Sequence, residues 1–211
     1  MCATTARAES SELARHIART AARLFAERGY DGTPVSAIVE AAGVTKPTLY
    51  YHFGSKEGLA QALLTEPMAR LAATLRAILE AEADPVRTLG QMIAAHFDYT
   101  REEPDRSRFL FALAFGPHDR DLAAELKWSA EELSRLYQEA VDRLAASGTI
   151  DAARVEACGT ALWGQIVIHI LHFLKHCQAV EGPGPELAGQ IVRDLLWGFA
   201  APGIRAEKGR A

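Results

Sequence analysis

Cysteine is scarce in this chain: three residues in 211, at positions 2, 158 and 177. An odd number at no metal-site spacing argues against a disulfide framework or a zinc module. Positive charge is not in excess either, with 23 Lys and Arg against 27 Asp and Glu and a net charge of −4. That balance argues against a general coat for nucleic acid. No basic-then-apolar leader opens the chain. The most apolar stretch, 161–174, is interrupted by Gln165, His169 and His172. It is expected to be too short to span a bilayer, so no membrane partner is expected and a reducing cytoplasm is the expected setting. Paired carboxylates, a nucleophile motif and a phosphate loop are missing as well, so neither an enzyme nor a resident cofactor or metal is expected.

What is present is ordinary globular composition, 49% hydrophobic and 24% charged, enough for one large domain or two smaller ones with a real core. Apolar residues recur at helical spacing almost everywhere, and no convincing alternating strand interrupts them. The fold class expected is all-α, with about nine helices. Residues 1–9 are small and polar and are expected to fray. Leu13, Ile17, Ala21, Leu24 and Phe25 then mark a first helix, stopped by Gly29. Thr33-Pro34 reads as an N-cap with proline at the first helical position of a second helix. Pro67 is expected to kink or split a fourth helix running from about Lys56 towards Glu82. Further helices are expected from Asp84-Pro85, over 106–115, 119–146, 151–178 and 186–199.

The densest stretch is 43–56, GVTKPTLYYHFGSK. It holds a glycine for a tight turn, Thr45 to cap a short third helix, Pro47 in its first turn, and Ser55 to cap the next. Leu49 and Phe53 face inward. Nearly every other position carries a hydroxyl, an imidazole or an ammonium, groups that bond phosphate oxygens and base edges. This is the pattern of a helix-turn-helix recognition element. Residues 1–54 carry six basic groups and five acidic, leaving 17 basic and 22 acidic beyond. A near-neutral reading head fits a sequence reader better than a charge-driven binder.

The run Leu24-Phe25-Ala26-Glu27-Arg28-Gly29-Tyr30, followed by Thr33, Ile38, Ala41-Ala42-Gly43-Val44 and then 45–56, resembles the TetR family of transcriptional regulators. The resemblance covers about 21–63. It implies a three-helix DNA-binding domain over 1–54, a larger helical effector-binding and dimerisation domain over 55–201, and a disordered tail over 202–211. It also implies a homodimer on a pseudo-palindromic double-stranded DNA operator, read by Thr33, Thr45, Lys46, Pro47, Thr48, Tyr50, Tyr51 and His52, with Lys56 gripping a phosphate. Ser36 departs from relatives that carry a long basic side chain there, which shifts discrimination onto the third helix. A small, apolar or aromatic effector is implied among helices four to eight. The large residues available to it are Met92, His96, Phe97, Phe109, Phe115, Trp128, Tyr137, Trp163 and His169. Such residues at helical spacing are more often core than ligand wall. Helices eight and nine are expected to form the dimer seam, with Trp163, Ile166, Ile170, Leu195, Leu196 and Trp197 as candidates.

The function implied is a ligand-responsive repressor. The alternatives are a DNA-binding activator or an architectural protein without effector. A helical metal-binding protein is a further one, because His169, His172 and His176 share one face of the eighth helix and Cys177 is adjacent. No carboxylate within that motif completes a metal site.

Overall fold

Helical periodicity becomes helix throughout the computed structural model. It describes the backbone of residues 2–115, 120–176 and 182–199, and side chains over those spans except 2–10, 120–126, 128, 129 and 199. Among the described residues nine helices follow in order: α1 (Cys2–Arg28), α2 (Val35–Ala42), α3 (Lys46–Phe53), α4 (Lys56–Ala81), α5 (Pro85–Glu102), α6 (Pro104–Phe115), α7 (Arg120–Ala146), α8 (Val155–His176) and α9 (Pro185–Phe199). A single 3₁₀ turn, Ala152–Arg154, precedes α8. Sequence-derived boundaries hold to within a few residues, with informative exceptions.

The first exception is the amino terminus. Residues expected to fray continue α1 back to Cys2, and Ala3, Ala6 and Ala8 are strong helix formers. The second is Thr33. It does not cap α2, whose N-cap is Pro34 in extended conformation. Its hydroxyl instead donates to the carbonyls of Gly29 at 2.8 Å and Leu24 at 3.2 Å, satisfying acceptors that the end of α1 leaves open. The third is Pro67, which neither splits α4 nor ends it. Leu63, Leu64, Met68, Leu71, Leu75 and Leu79 are buried on both sides of it, and that packing holds the helix through one missing hydrogen bond.

The chain divides into two compact units, one from Met1–Ala69 with Glu103–Ser129 and the other from Arg70–Glu102 with Ala130–Ala211. This differs from a boundary at residue 54, because α6 belongs with the amino-terminal helices. Phe109 of α6 packs its ring 4.8 Å from Phe25 and 6.5 Å from Tyr30. Within the same unit the His16 ring meets the Ala42 carbonyl at 3.1 Å, tying α1 to α2. Gly43 ends α2 in the left-handed region (φ 64°), and Val44 N–H returns to the Val39 carbonyl at 3.0 Å. This closing bond sets the tight turn into α3.

In the second unit α9 packs on α5 and α8. Arg143 of α7 donates to the Leu79 carbonyl of α4, and Arg76 pairs with Glu132. The α8 segment, with its preceding turn, is long and apolar enough by length and composition to cross a membrane, so the expectation from the shorter run 161–174 was too narrow. Leu162, Ile166, Ile170, Phe173 and Leu174 of α8 are nonetheless buried within this chain.

Phe109→Ala removes the ring that joins α6 to Phe25 and Tyr30. It should cost about 3 kcal/mol in urea unfolding followed by circular dichroism. A loss below about 1 kcal/mol would mean the ring carries little of the packing.

Candidate nucleic-acid interface and effector cavity

Eight residues are too few to hold a helix in water, so α3 depends on its ends and on one anchor. Thr45 caps it, accepting from Thr48 N–H at 3.3 Å and sharing a 2.8 Å hydroxyl contact with Thr48. Lys46 and Pro47 form the first turn, where proline's missing N–H costs nothing. Gly54 (φ 71°) ends the helix, with its N–H on the Tyr50 carbonyl at 2.8 Å. Leu49 is fully buried beneath it. With Leu49 inward, Lys46, Pro47, Tyr50 and Tyr51 face outward at helical spacing, Tyr50 45% and Tyr51 83% exposed. Thr48 and His52 are half-buried at the edges, and the His52 ring stands edge-on to Tyr51 at 5.2 Å. An exposed tyrosine over a buried leucine is apolar surface that packing does not require.

Two of the sequence-derived contacts do not fit. Thr33 is fully buried and its hydroxyl is committed to α1, so it offers nothing to a phosphate. Lys56, in the first turn of α4, donates to the Tyr30 carbonyl at 2.6 Å and lies over the Tyr30 ring at 4.1 Å. Partial burial holds its ammonium below the usual lysine range, partly countered by Asp31. Its charge therefore closes the α1–α2 loop in place of projecting into solvent. The cause was not legible locally, since residues 30 and 56 meet only in the fold.

In the second unit the proposed effector residues separate into three groups. Met92 and Phe97 are fully buried core. His96, Tyr137 and Trp163 form one cluster, with ring centroids about 6 Å apart. Tyr137 donates to the Met92 carbonyl at 3.1 Å, and His96 Nδ1 meets the same phenol oxygen at 3.3 Å. Tyr137 and Trp163 line a cavity of about 490 Å³, together with Ser134, Gln138, Glu156 and Thr160 among others. Sequence reading missed those four polar residues. Ser134 and Thr160 lie three positions before Tyr137 and Trp163 and Glu156 seven before Trp163, which is the signal that would have found them, whereas Gln138 is simply the neighbour of Tyr137.

Phe109 and Phe115 do not belong there. Phe109 sits in the first unit, and Phe115 is 74% exposed and stacks on Phe111 at 5.9 Å. The Trp128 side chain lies outside the described residues. His169 lines a separate depression of about 650 Å³ with Arg101, His172 and Glu186 among others. Burial and the neighbouring His172 lower its pKa. The rings of His172 and His176 are 4.9 Å apart. Among the described residues no three His, Cys, Asp or Glu side chains converge as metal ligands, and Cys177 lies outside them.

The expected dimer residues also divide. Ile166, Ile170 and Leu195 are buried in their own chain, which corrects their assignment to a seam. Because α8 is apolar nearly all round, periodicity could not say which face turns in. The large apolar residues left exposed on α8 and α9 include Trp163, Ile168, Leu171 and Trp197, with Leu196 half-buried.

Burial pushes the His96 imidazole down to about 4 and the Tyr137 phenol up. The unfolded His96 therefore binds a proton below about pH 6.5 that the folded one refuses until about pH 4. Stability from this group is full above pH 6.5 and is lost on acidification across that window. Against His96→Gln, the wild type should lose up to ~3 kcal/mol between pH 6.5 and 4 in urea titrations. Parallel pH profiles for the two proteins would contradict it.

Residues 17–63 match the family described as bacterial regulatory proteins, tetR family. The transcriptional activator FasR of Mycolicibacterium smegmatis is 28% identical over 123 residues, 58% of this chain and 56% of that protein. The transcriptional repressor KstR2 of Mycobacterium tuberculosis is 38% identical over 78 residues, 37% of this chain and 39% of that protein. The matches thus span about half the length of these relatives or less. The structure of FadR from Bacillus subtilis in complex with stearoyl-CoA superposes with a TM-score of 0.69 at 19% identity, covering 88% of this chain and 98% of that one; at that identity the likeness shows the fold alone. Residues 17–63 thus carry an amino-terminal domain of the tetR family of bacterial regulatory proteins.

Proposed function

We propose that the chain is a ligand-responsive transcriptional repressor that binds a pseudo-palindromic operator as a homodimer and is released by a small effector with an apolar or aromatic body. The observation that carries this reading is the outward edge of α3, where Lys46, Pro47, Tyr50 and Tyr51 stand exposed over buried Leu49. Lysine at the start of a recognition helix suits guanine O6 and N7, proline suits a thymine methyl, and tyrosine hydroxyls suit phosphates. The apolar side chains exposed on α8 and α9, Ile168 and Trp197 foremost, support a two-fold seam there. The cavity beside Tyr137 and Trp163 supports an effector, whose differential affinity for two states of the protein would set operator affinity. Such a regulator works in the cytoplasm, where its operator is.

A second reading, an activator on the same operator, is favoured by the match to FasR, which is named an activator. Transcription in vitro from the bound promoter, with and without the protein, separates the two.

A gel shift with the palindrome nearest the protein's own promoter tests the reading. Lys46→Ala should weaken that complex about ten- to a hundredfold while leaving random DNA nearly unaffected. Lys56→Ala should weaken both alike without lowering the salt slope, because its ammonium is engaged by Tyr30. Equal wild-type affinity for operator and random DNA would refute sequence-specific regulation. For the seam, Ile168→Asp combined with Trp197→Asp should give a monomer in light scattering at micromolar concentration, with operator affinity lost. A dimer unchanged by both substitutions would place the seam elsewhere.

A further inference from the structure

The cavity of about 490 Å³ is walled by α7 on one side and by the start of α8 on the other, and its size suits a small molecule. Glu156, Thr160 and Trp163 all line it. They stand at i, i+4 and i+7 of α8, which puts them along one face over two turns. Glu156 carries the one formal charge among the described residues that line the cavity, and no Lys, Arg or His is among them. Its carboxylate enters none of the ion pairs found among the described residues. A glutamate in the first turn of a helix is favoured by the dipole wherever it points. This one shares its face with a tryptophan that is 39% exposed.

The α7 wall adds acceptors. Gln138 donates its amide nitrogen to the Asp142 carboxylate at 2.9 Å. An ionised carboxylate only accepts, so the nitrogen belongs on that side and the amide oxygen is released from it. That oxygen approaches α8 so closely that a Cβ at Gly159, another lining residue, would stand 3.3 Å from it. Ser134 contributes a hydroxyl. Tyr137 contributes its ring alone, because its proton is committed to the Met92 carbonyl at 3.1 Å. The Tyr137 and Trp163 ring centroids lie 6.2 Å apart.

A carboxylate, an amide oxygen and an aromatic face give one corner negative potential with no positive group to offset it. An anion would find no partner there, whereas a cation gains from the carboxylate and from the ring. Among the described residues no three His, Cys, Asp or Glu side chains converge, so the cation that fits is organic and not a metal ion. Seven residues of helix separate Glu156 from Trp163 by about 10 Å along the axis, which suits a cationic head joined to its ring by a short chain.

We propose that the cavity binds a protonated organic amine with an aromatic body, its ammonium on Glu156 and Gln138 Oε1 and its ring against Trp163. The effector class so named rests on the reading of this cavity as the effector site.

Three indoles of one shape test it in calorimetric titrations of the full-length protein at neutral pH: tryptamine as the cation, tryptophol as its neutral analogue and indole-3-propionate as the anion. Tryptamine should bind about tenfold or more tighter than tryptophol, with indole-3-propionate weakest. Glu156→Gln should bring tryptamine down to the affinity of tryptophol and leave tryptophol itself unchanged. Trp163→Ala should weaken tryptamine and tryptophol together. Raising salt from about 0.05 to 0.5 M should weaken tryptamine alone. Equal affinity for tryptamine and tryptophol, tighter binding of the propionate, no tryptamine binding at millimolar concentration, or a preference that survives Glu156→Gln would overturn the proposal. Operator release by tryptamine is scored separately in the gel shift. Selective binding without release would fault the regulatory reading and leave the amine site standing. Release by all three indoles alike would do the reverse.

Discussion

An eight-residue helix cannot sustain itself in water, and the surface proposed to read DNA is such a helix. Everything around α3 compensates for its shortness. Thr45 ties down the first turn, Gly43 and Gly54 let the chain enter and leave through left-handed turns, and Leu49 is the single side chain sunk into the core. Helical stability here is tertiary in origin. Lys46, Pro47, Tyr50 and Tyr51 are consequently free of structural duty, and residues that hold nothing in place are available to read something else.

Lys56 shows how the same constraint reassigns a residue. A lysine at a helix start, next to a recognition helix, suggests a phosphate clamp. In the fold, its ammonium meets the Tyr30 carbonyl and ring, and the Tyr30 ring in turn stacks on Phe109 of α6. A cation set against an aromatic face and a carbonyl orders the α1–α2 loop and the start of α4 together. Any contribution to the proposed DNA binding would then run through the orientation of α3, a sequence-independent effect that carries no counterion signature.

Helix order, the caps at Thr45 and Ser55 and the burial of Leu49 were legible in the sequence, because each is set by neighbours three or four positions away. Thr33, Lys56 and Phe109 were not, because their partners lie 26, or in the case of Phe109 some 80, positions distant or because two local roles competed. Thr33 had a choice between opening α2 and closing α1, and only the placement of the Gly29 carbonyl decides it. On α8 the difficulty was different: a helix apolar on every side carries no periodic signal, so Ile166 and Ile170 could not be told from Ile168 until the packing was known.

The contrast between the two units follows from what each is proposed to recognise. DNA presents a fixed array of phosphates and base edges, so the side chains that meet it fall into a short, exposed and recognisable run. A small molecule is met by residues drawn from several helices, and no local pattern marks them. His96, Tyr137 and Trp163 are spread across 67 positions of sequence, yet they form one hydrogen-bonded aromatic cluster. What distinguishes that cluster from ordinary core is the polar chain it encloses, from the His96 imidazole through the Tyr137 phenol to the Met92 carbonyl. Apolar packing alone would favour phenylalanine at positions 96 and 137; a buried imidazole and phenol that bond each other and a backbone carbonyl instead fix how Tyr137 stands in the cavity wall.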